Sequence, residues 1–448
     1  MSSELLNKYD VPAPRYTSYP TVPYWNDDPT SKEWVTSLRT YFSQDHTTWS
    51  MYIHIPFCET LCTFCGCNTI ITRDHKRENP YLENLIKEWK LYVEKVPEIK
   101  TKPLKELHLG GGTPTFFSAQ NLSQLISEIL KDVTLAEDFE GGIEVDPRRT
   151  KEDQLQALRE LGFCRVSMGV QDFDPEVQRL VNRIQPESMT YDLTQKARAL
   201  GYTSVNYDLI YGLPKQTPES IEILAQKTLQ HKPDRIALYS FAMVPWIKPT
   251  HRIYKDEDLP QGADKRRLYE IARNILTEGG YVEIGMDHFA LKTDSLYSAT
   301  ENQTLHRNFM GYTPFRTNIL LGLGVSSISE TPDCFHQNEK KLPVYERMLD
   351  QGELTTFRGH KLTTLDQRRR EQILNLMTLW EAQLDDQVHE ERIKEYLTEM
   401  IADGLVEVKD LKMSITDKGQ PFLRNACMAL DERLREVHPD KKIFSQSL

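Results

Sequence analysis

From about residue 50 to 330 the chain alternates short apolar runs with longer stretches whose apolar positions recur at helical spacing. The runs Met51–Phe57, Glu106–Gly110, Gly142–Asp146, Arg165–Gln171, Ser204–Tyr211 and Arg235–Phe241 predict strands. Between them Pro80–Val96, Ala119–Leu130, Lys151–Leu161, Met189–Leu200 and Pro218–Leu229 predict amphipathic helices. Regular strand–helix alternation builds βαβ units on a parallel sheet. About six units fit an α/β fold that forms an open, partial (β/α)6 barrel, not a closed eight-stranded one. Tyr281–Ala290 and Ile319–Ile328 are expected to extend or cap the sheet.

Side chains alternate faces along a strand. Tyr52 and His54 therefore oppose Ile53 and Ile55, and Glu144 and Asp146 oppose Ile143 and Val145. Ser167, Gly169 and Gln171 oppose Val166, Met168 and Val170, while Asn206 and Asp208 oppose Val205 and Leu209. Each strand thus has an aliphatic face for helix packing and a face that is polar near its C-terminal end. Four strands doing this together predict a polar cavity at that end of the barrel.

The flanks differ. Residues 1–48 are rich in Pro, Tyr and Thr around Val11–Pro20, a density of proline that predicts an extended N-terminal arm. Residues 49–330 hold the barrel and its extension. From 331 to 448 a mostly helical C-terminal domain is expected: helices at Leu365–Trp380, Glu390–Ala402 and Leu423–Val437, and two short strands within Gly404–Thr416, a winged-helix-like order.

Net charge decides against one use of such a module. The chain carries −11 over 448 residues, which repels phosphate backbones and disfavours nucleic acid as a partner. A lid or docking role suits the C-terminal domain better. The N-terminal residues do not read as a secretory signal, and no apolar stretch is long enough to span a bilayer, so a cytoplasmic location without membrane contact is expected.

Of seven cysteines, Cys58, Cys62, Cys65 and Cys67 fall within ten residues, directly after the first strand. In α/β barrels the C-terminal ends of the strands carry the chemistry. An odd number of cysteines in a chain without a signal points to metal, not disulfides. Zinc is one candidate, but structural zinc usually takes two separated pairs of ligands, and no second pair exists. Close thiolates on one loop suit an iron–sulfur cluster, and three ligands would leave one iron open.

Cys58-x3-Cys62-x2-Cys65 after the first strand resembles the radical S-adenosylmethionine superfamily. Phe64 fits the aromatic position of its motif, and Gly110–Pro114, at the end of the second strand, fits its Gly-rich turn. Segments from Pro14–Thr21 through Asp208–Ser220, Gly285–Ala290, Leu305–Phe309 and Gly322–Ser329 extend the resemblance to the oxygen-independent coproporphyrinogen III oxidases (coproporphyrinogen dehydrogenases) of haem biosynthesis.

The resemblance implies a barrel of the radical S-adenosylmethionine type with a 4Fe–4S cluster on Cys58, Cys62 and Cys65. It implies two S-adenosylmethionine molecules contacted by Tyr52, Phe64, Gly111, Gly112, Thr113, Glu144, Gln171, Arg183, Asp208, Ala242 and Ile328. Cys67 is the family's further cysteine, not a ligand, and with Tyr52 and His54 it makes up the candidate catalytic set. The implied reaction turns two propionates of coproporphyrinogen III into vinyl groups, giving protoporphyrinogen IX, through a 5′-deoxyadenosyl radical. A reducing electron-transfer protein is the implied partner of a monomeric enzyme. Relatives often carry a His where this chain has Met243, so any hydrogen bond from that position is lost. Because the substrate has four carboxylates, Arg15 and Arg307 are candidates to grip it. A haem-handling chaperone on the same fold is the alternative reading. Such proteins generally lack both the Pro14–Thr21 arm and the fourth cysteine, which this chain has.

Overall fold

The computed structural model describes residues 3–436 and 443–447. Six parallel strands form its centre: β1 (Trp49–Ile55), β2 (Pro103–Gly111), β3 (Thr134–Val145), β4 (Phe163–Gln171), β5 (Ser204–Tyr211) and β6 (Arg235–Ser240). Each strand hydrogen-bonds to the next in chain order. The helices between them include α1 (Glu78–Lys95), α2 (Ala119–Leu130), α3 (Glu152–Glu160), α4 (Glu187–Ala199) and α5 (Pro218–His231). The helices lie within a few residues of the ranges that periodicity predicts, and so do the strands except β3, which starts eight residues before the expected Gly142.

The apolar faces explain why these elements close on one another. Ile53, Ile55, Leu107, Leu109, Ile143, Val166 and Met168 are fully buried with Leu85, Leu122, Leu125, Leu155 and Leu224 from the helices in one continuous core. Each such side chain contributes about 2 kcal/mol by leaving water. Helix starts are marked in the sequence too. The Ser118 hydroxyl accepts from the Asn121 amide, and Thr217 caps α5 just ahead of Pro218.

The sheet extends beyond the barrel at both edges, to twelve strands in all. Ile319–Leu323 adds a seventh parallel strand beside β1, and Tyr281–Ala290 forms an antiparallel hairpin on β6. Cys334–Asn338 and Thr356–Lys361 continue the same sheet. The expected division at residue 330 therefore falls inside the sheet, which runs to Lys361.

The arm is more structured than its prolines suggest. Helices span Ser3–Tyr9 and Ser31–Phe42. The second begins after the last proline of the arm, Pro29, under a Thr30–Glu33 capping box, and buries Trp34, Leu38 and Phe42 in the barrel core. Between the helices Tyr16 and Tyr19 enter the core of the C-terminal domain. The Arg424 guanidinium ties this stretch down by donating to the carbonyls of Ala13 and Pro14 and of Gln446 and Ser447.

In the C-terminal domain Glu381–Gln383 joins the two expected strands in a three-stranded ribbon. The expected helix Leu423–Val437 is two pieces, Leu423–Met428 and Glu432–Glu436, and Val437 lies outside the described residues. The break centres on Asp431: its carboxylate accepts from the Leu434 amide at the start of the second piece, and its other oxygen accepts from the Tyr16 hydroxyl of the arm. No helix among the described residues is long and apolar enough to cross a membrane.

Candidate functional site

The cysteine loop leaves β1 through Pro56 and is pinned at both ends. Phe57–Cys58 pairs with Ile70–Ile71, and the Ile70 and Thr72 amides donate to the carbonyls of Pro56 and Cys58 at 2.8 and 2.9 Å. Across the barrel mouth, the Thr63 amide donates to the Val181 carbonyl and Asn182 to that of Leu61. The ring between these anchors places Cys58, Cys62, Cys65 and Cys67 on one cavity of about 260 Å³. Among the described residues no three His, Cys, Asp or Glu side chains converge on a point that could hold one metal ion. Cysteine thiolates are the protein ligands of iron–sulfur clusters, and this loop presents four of them to one cavity.

The cysteines sit in different fields. Burial pushes the Cys58 thiol up to about 11, although the Thr113 hydroxyl lies 3.4 Å from it. Cys65 is held below the ordinary thiol range, first by a hydrogen bond from the Cys67 thiol. Two guanidiniums, from Arg148 and Arg183, each reach the Cys62 sulfur at 3.6 Å. Asp146 orients both, at 2.7 Å from Arg148 and 3.5 Å from Arg183. Burial would raise the Asp146 carboxyl, but the two arginines outweigh it and hold the group below its ordinary range. Positive charge beside a thiolate cluster offsets its negative charge. Arg148 was not singled out from the sequence. Its one signal is a basic pair directly after the strand-end Asp146-Pro147.

The Gly-rich turn closes the adjacent wall. The amides of Gly112 and Thr113 donate to the carbonyls of Ile55 and Phe57 at 2.8 and 2.9 Å. A Cβ on Gly112 would stand 2.6 Å from the Pro56 oxygen, and Gly111 takes φ +117°, which side chains disfavour. The Gly111 amide donates to Glu144 at 3.1 Å, and His108 Nε2 lies 3.4 Å from the same carboxylate. Burial works against the Glu144 charge, but His108 and the amide prevail and keep the carboxyl below its usual range.

Parallel register assembles the rest. Tyr52 lies opposite His108, Glu144 opposite Ser167, and Ser167 opposite Asn206. Asp208 accepts from Ser167 and Asn206 at 3.0 and 2.8 Å, and burial, then the Glu144 charge, push its carboxyl up to about 6. Gln171 ends β4 at φ +68°, a left-handed conformation rare outside glycine and costly enough to mark a functional position. Tyr239, unforeseen from the sequence, completes the wall from β6.

The structure thus brings Phe64, Gly111, Gly112, Thr113, Glu144, Gln171, Arg183 and Asp208 together with the four cysteines. Tyr52 and His54 lie behind the turn. The Tyr52 hydroxyl stands 3.0 Å from His54 Nδ1, and His54 Nε2 lies 2.9 Å from the Asn68 carbonyl. They reach the cysteine loop through that carbonyl. Ala242 borders a different cavity, of about 630 Å³, with Met243 and Lys265. Ile328 packs against a small core of Trp25, Phe335 and Leu362.

Arg15 from the arm and Arg307 both lie beside Asp287. Arg15 donates to the Ser240 carbonyl at 2.8 Å, beside Tyr211 and Asp287. Arg307 is buried over the Tyr312 ring, and its Nη1 stands 3.9 Å from Asp287, beyond hydrogen-bonding reach. Its Nε and Nη1 have no hydrogen-bond partner, an expensive state for a buried cation. Buried charges of this kind suit a ligand carboxylate.

Known proteins resemble the chain over nearly its whole length. The Radical SAM superfamily model matches residues 52–227. The oxygen-independent coproporphyrinogen III oxidase of Escherichia coli is 40% identical over 443 residues, which is 96% of this chain and 95% of that protein. Proteins of the same description from Pseudomonas aeruginosa and Synechocystis are 39% and 38% identical, over 97% and 100% of this chain and 96% and 98% of their own lengths. The solved structure of the coproporphyrinogen III oxidase from E. coli, described as a radical SAM enzyme, superposes with a TM-score of 0.88 at 39% identity, covering 94% of this chain and 98% of that one. This chain belongs to the oxygen-independent coproporphyrinogen III oxidase family of the radical S-adenosylmethionine superfamily.

Proposed function

We propose that the chain removes carbon dioxide from two propionate side chains of coproporphyrinogen III and leaves the vinyl groups of protoporphyrinogen IX, without oxygen. The observation that carries this reading is the single cavity shared by Cys58, Cys62, Cys65, the Gly111–Thr113 turn and Asp208, in a chain related over its whole length to enzymes of that description. A 4Fe–4S cluster with S-adenosylmethionine supplies the one-electron chemistry that removes hydrogen from the propionate β-carbon.

Cys58, Cys62 and Cys65 hold the cluster, and Arg148 and Arg183 balance its charge at Cys62. The Gly111–Gly112 backbone allows the methionine end of S-adenosylmethionine to approach closely. Glu144, fixed by the Gly111 amide, stays ionised at that wall. Tyr52 and His54 are positioning residues that hold the loop at Asn68, and Cys67 holds the Cys65 sulfur low. Arg15 and Arg307 receive substrate carboxylates. The arm above them helps exclude water from the reaction. Ala242 and Ile328 take outer places in this reading, because neither borders the cysteine cavity.

An anaerobic assay of reconstituted protein with coproporphyrinogen III tests the reading. Protoporphyrinogen IX and two equivalents each of methionine and 5′-deoxyadenosine are expected. Cleavage of S-adenosylmethionine with no vinyl product would sink the substrate assignment, and haem binding without turnover would favour a chaperone.

Two narrower results are expected. Arg307→Met leaves a carboxylate without its cation, a loss of about 2–5 kcal/mol, or roughly 30- to 5,000-fold in kcat/KM. The loss falls mainly on KM for coproporphyrinogen, and 5′-deoxyadenosine formation without substrate is unchanged. Asp208, with its carboxyl at about 6, is ionised above that pH and accepts from the cofactor. Affinity for S-adenosylmethionine therefore falls as pH drops through about 6, and Asp208→Asn flattens the dependence. Titration by calorimetry at several pH values checks it. The sign for stability is opposite. The folded form binds this proton more tightly than the unfolded chain, whose Asp titrates near 3.8, so the ligand-free protein loses stability as pH rises from 3.8 to about 6.

A further inference from the structure

We infer that the outer edge of the cysteine loop is the docking surface for a small acidic one-electron carrier, a flavin or iron–sulfur protein, seated on Lys248, Lys340, Phe357 and Arg358. The inference rests on the cluster-holding role proposed above for Cys58, Cys62 and Cys65.

Two contacts place cations at this edge. Lys248 Nζ donates to the Cys67 carbonyl at 2.7 Å, and Asn68 Nδ2 donates to the Lys340 carbonyl at 3.2 Å. Both lysines are thus tied to the two residues that lie two and three positions beyond Cys65. Gly66 and Cys67 are themselves exposed, so the loop reaches the surface there. From Lys340 the patch continues onto the edge strand Thr356–Lys361. Lys340 Nζ stands 5.3 Å from the Phe357 ring centre, and the Arg358 guanidinium 5.6 Å from the same ring. Burial and the charges of Arg358 and Lys248 hold the Lys340 ammonium below its ordinary range, as expected where cations crowd.

Charge and composition choose the occupant. The segments 66–68, 246–248, 339–341 and 357–358 carry Lys248, Lys340, Lys341 and Arg358 against Glu339 alone, +4 and −1, in a chain whose total is −11. An acidic partner is repelled by the molecule as a whole and drawn to this face, which steers both encounter and orientation. Phe357 is 39% exposed, and Trp246 and Ile247 beside Lys248 are 44% and 58% exposed. Aromatic rings and arginine at a surface are the composition of interface anchors. Each cleavage of S-adenosylmethionine draws one electron from outside the chain. The reduced carrier gives up that electron through the edge nearest Cys65 and leaves oxidised by one electron, with no proton transferred.

The experiment uses reconstituted enzyme and an acidic flavodoxin. Lys340→Glu/Arg358→Glu, compared with wild type and with Lys340→Arg, is titrated with flavodoxin by calorimetry at low and high salt. The double variant is expected to bind at least tenfold more weakly at low salt, with the gap closing at high salt, while Lys340→Arg binds like wild type. 5′-Deoxyadenosine formation driven by reduced flavodoxin falls in step. Formation driven by dithionite, iron content and melting temperature stay unchanged. Equal flavodoxin affinity in wild type and double variant would overturn the inference. So would a raised KM for coproporphyrinogen with dithionite as donor, which would make the patch a substrate entrance. If dithionite drove no cleavage in wild type either, the cluster reading itself would fail, a result distinct from loss of docking.

Discussion

Cys62→Ser is expected to empty the protein of iron and to cut turnover about 10⁴-fold or more, over 5 kcal/mol of barrier. Cys62 lies at the centre of the site. It is buried, and Arg148 and Arg183 each stand 3.6 Å from its sulfur, held there by Asp146. A serine hydroxyl does not ionise near neutral pH, so the two guanidiniums would face no anion. Cys58→Ser and Cys65→Ser should behave alike. Cys67→Ser should not: Cys67 is exposed, and in the proposed arrangement it donates to Cys65 and binds no iron. Iron and sulfide analysis with the charge-transfer absorption of the anaerobic proteins separates the two classes. Full iron content in Cys62→Ser, or its loss in Cys67→Ser, would overturn the ligand assignment.

Gly112→Ala is the second large effect. The new methyl group would stand 2.6 Å from the Pro56 oxygen, 2.7 Å from its carbonyl carbon and 2.8 Å from the Phe57 oxygen, all of them backbone. Relief requires separating the turn from the start of the cysteine loop. That breaks the hydrogen bonds from Gly112 to Ile55 and from Thr113 to Phe57 and moves two walls of the site together. Affinity for S-adenosylmethionine is expected to fall by ~100-fold or more, in line with ~3 kcal/mol for overpacking at a tight contact. A small fall in melting temperature should accompany it, because the core behind the turn is untouched. Unchanged affinity by equilibrium dialysis would show that the turn does not face the cofactor.

The barrel strands were legible because their signal is local. Ser204–Tyr211 and Ala119–Leu130 match residue for residue, since period 2 and period 3.6 are written within a few residues and the flanking Ser, Thr and Pro caps mark the starts. The helix Ser31–Phe42 was obscured by prolines that all precede it, and its burial of Trp34 against the barrel is not visible in the arm itself. The split at Asp431 depends on a carboxylate whose second partner, Tyr16, lies 415 residues away. That residue 330 falls inside the sheet was hidden for a similar reason: whether Cys334–Asn338 continues the sheet is decided by its neighbours in space.

The sequence by itself determined the chemistry on offer: four cysteines on one loop, a glycine turn at the next strand, and a polar face on each strand end. Contiguous residues stay together however the chain folds, so that inventory needed no tertiary information. The tertiary structure decided which members meet. It set Arg148 and Arg183 on one sulfur, drew Tyr239 into the cavity, turned Tyr52 and His54 behind the Gly-rich turn, lined a second cavity with Ala242 and packed Ile328 against Trp25, Phe335 and Leu362. It also put Arg15 from the arm and Arg307 from beyond the barrel beside the same Asp287. Strand register and long-range packing make these contacts, and neither is encoded by spacing along the chain.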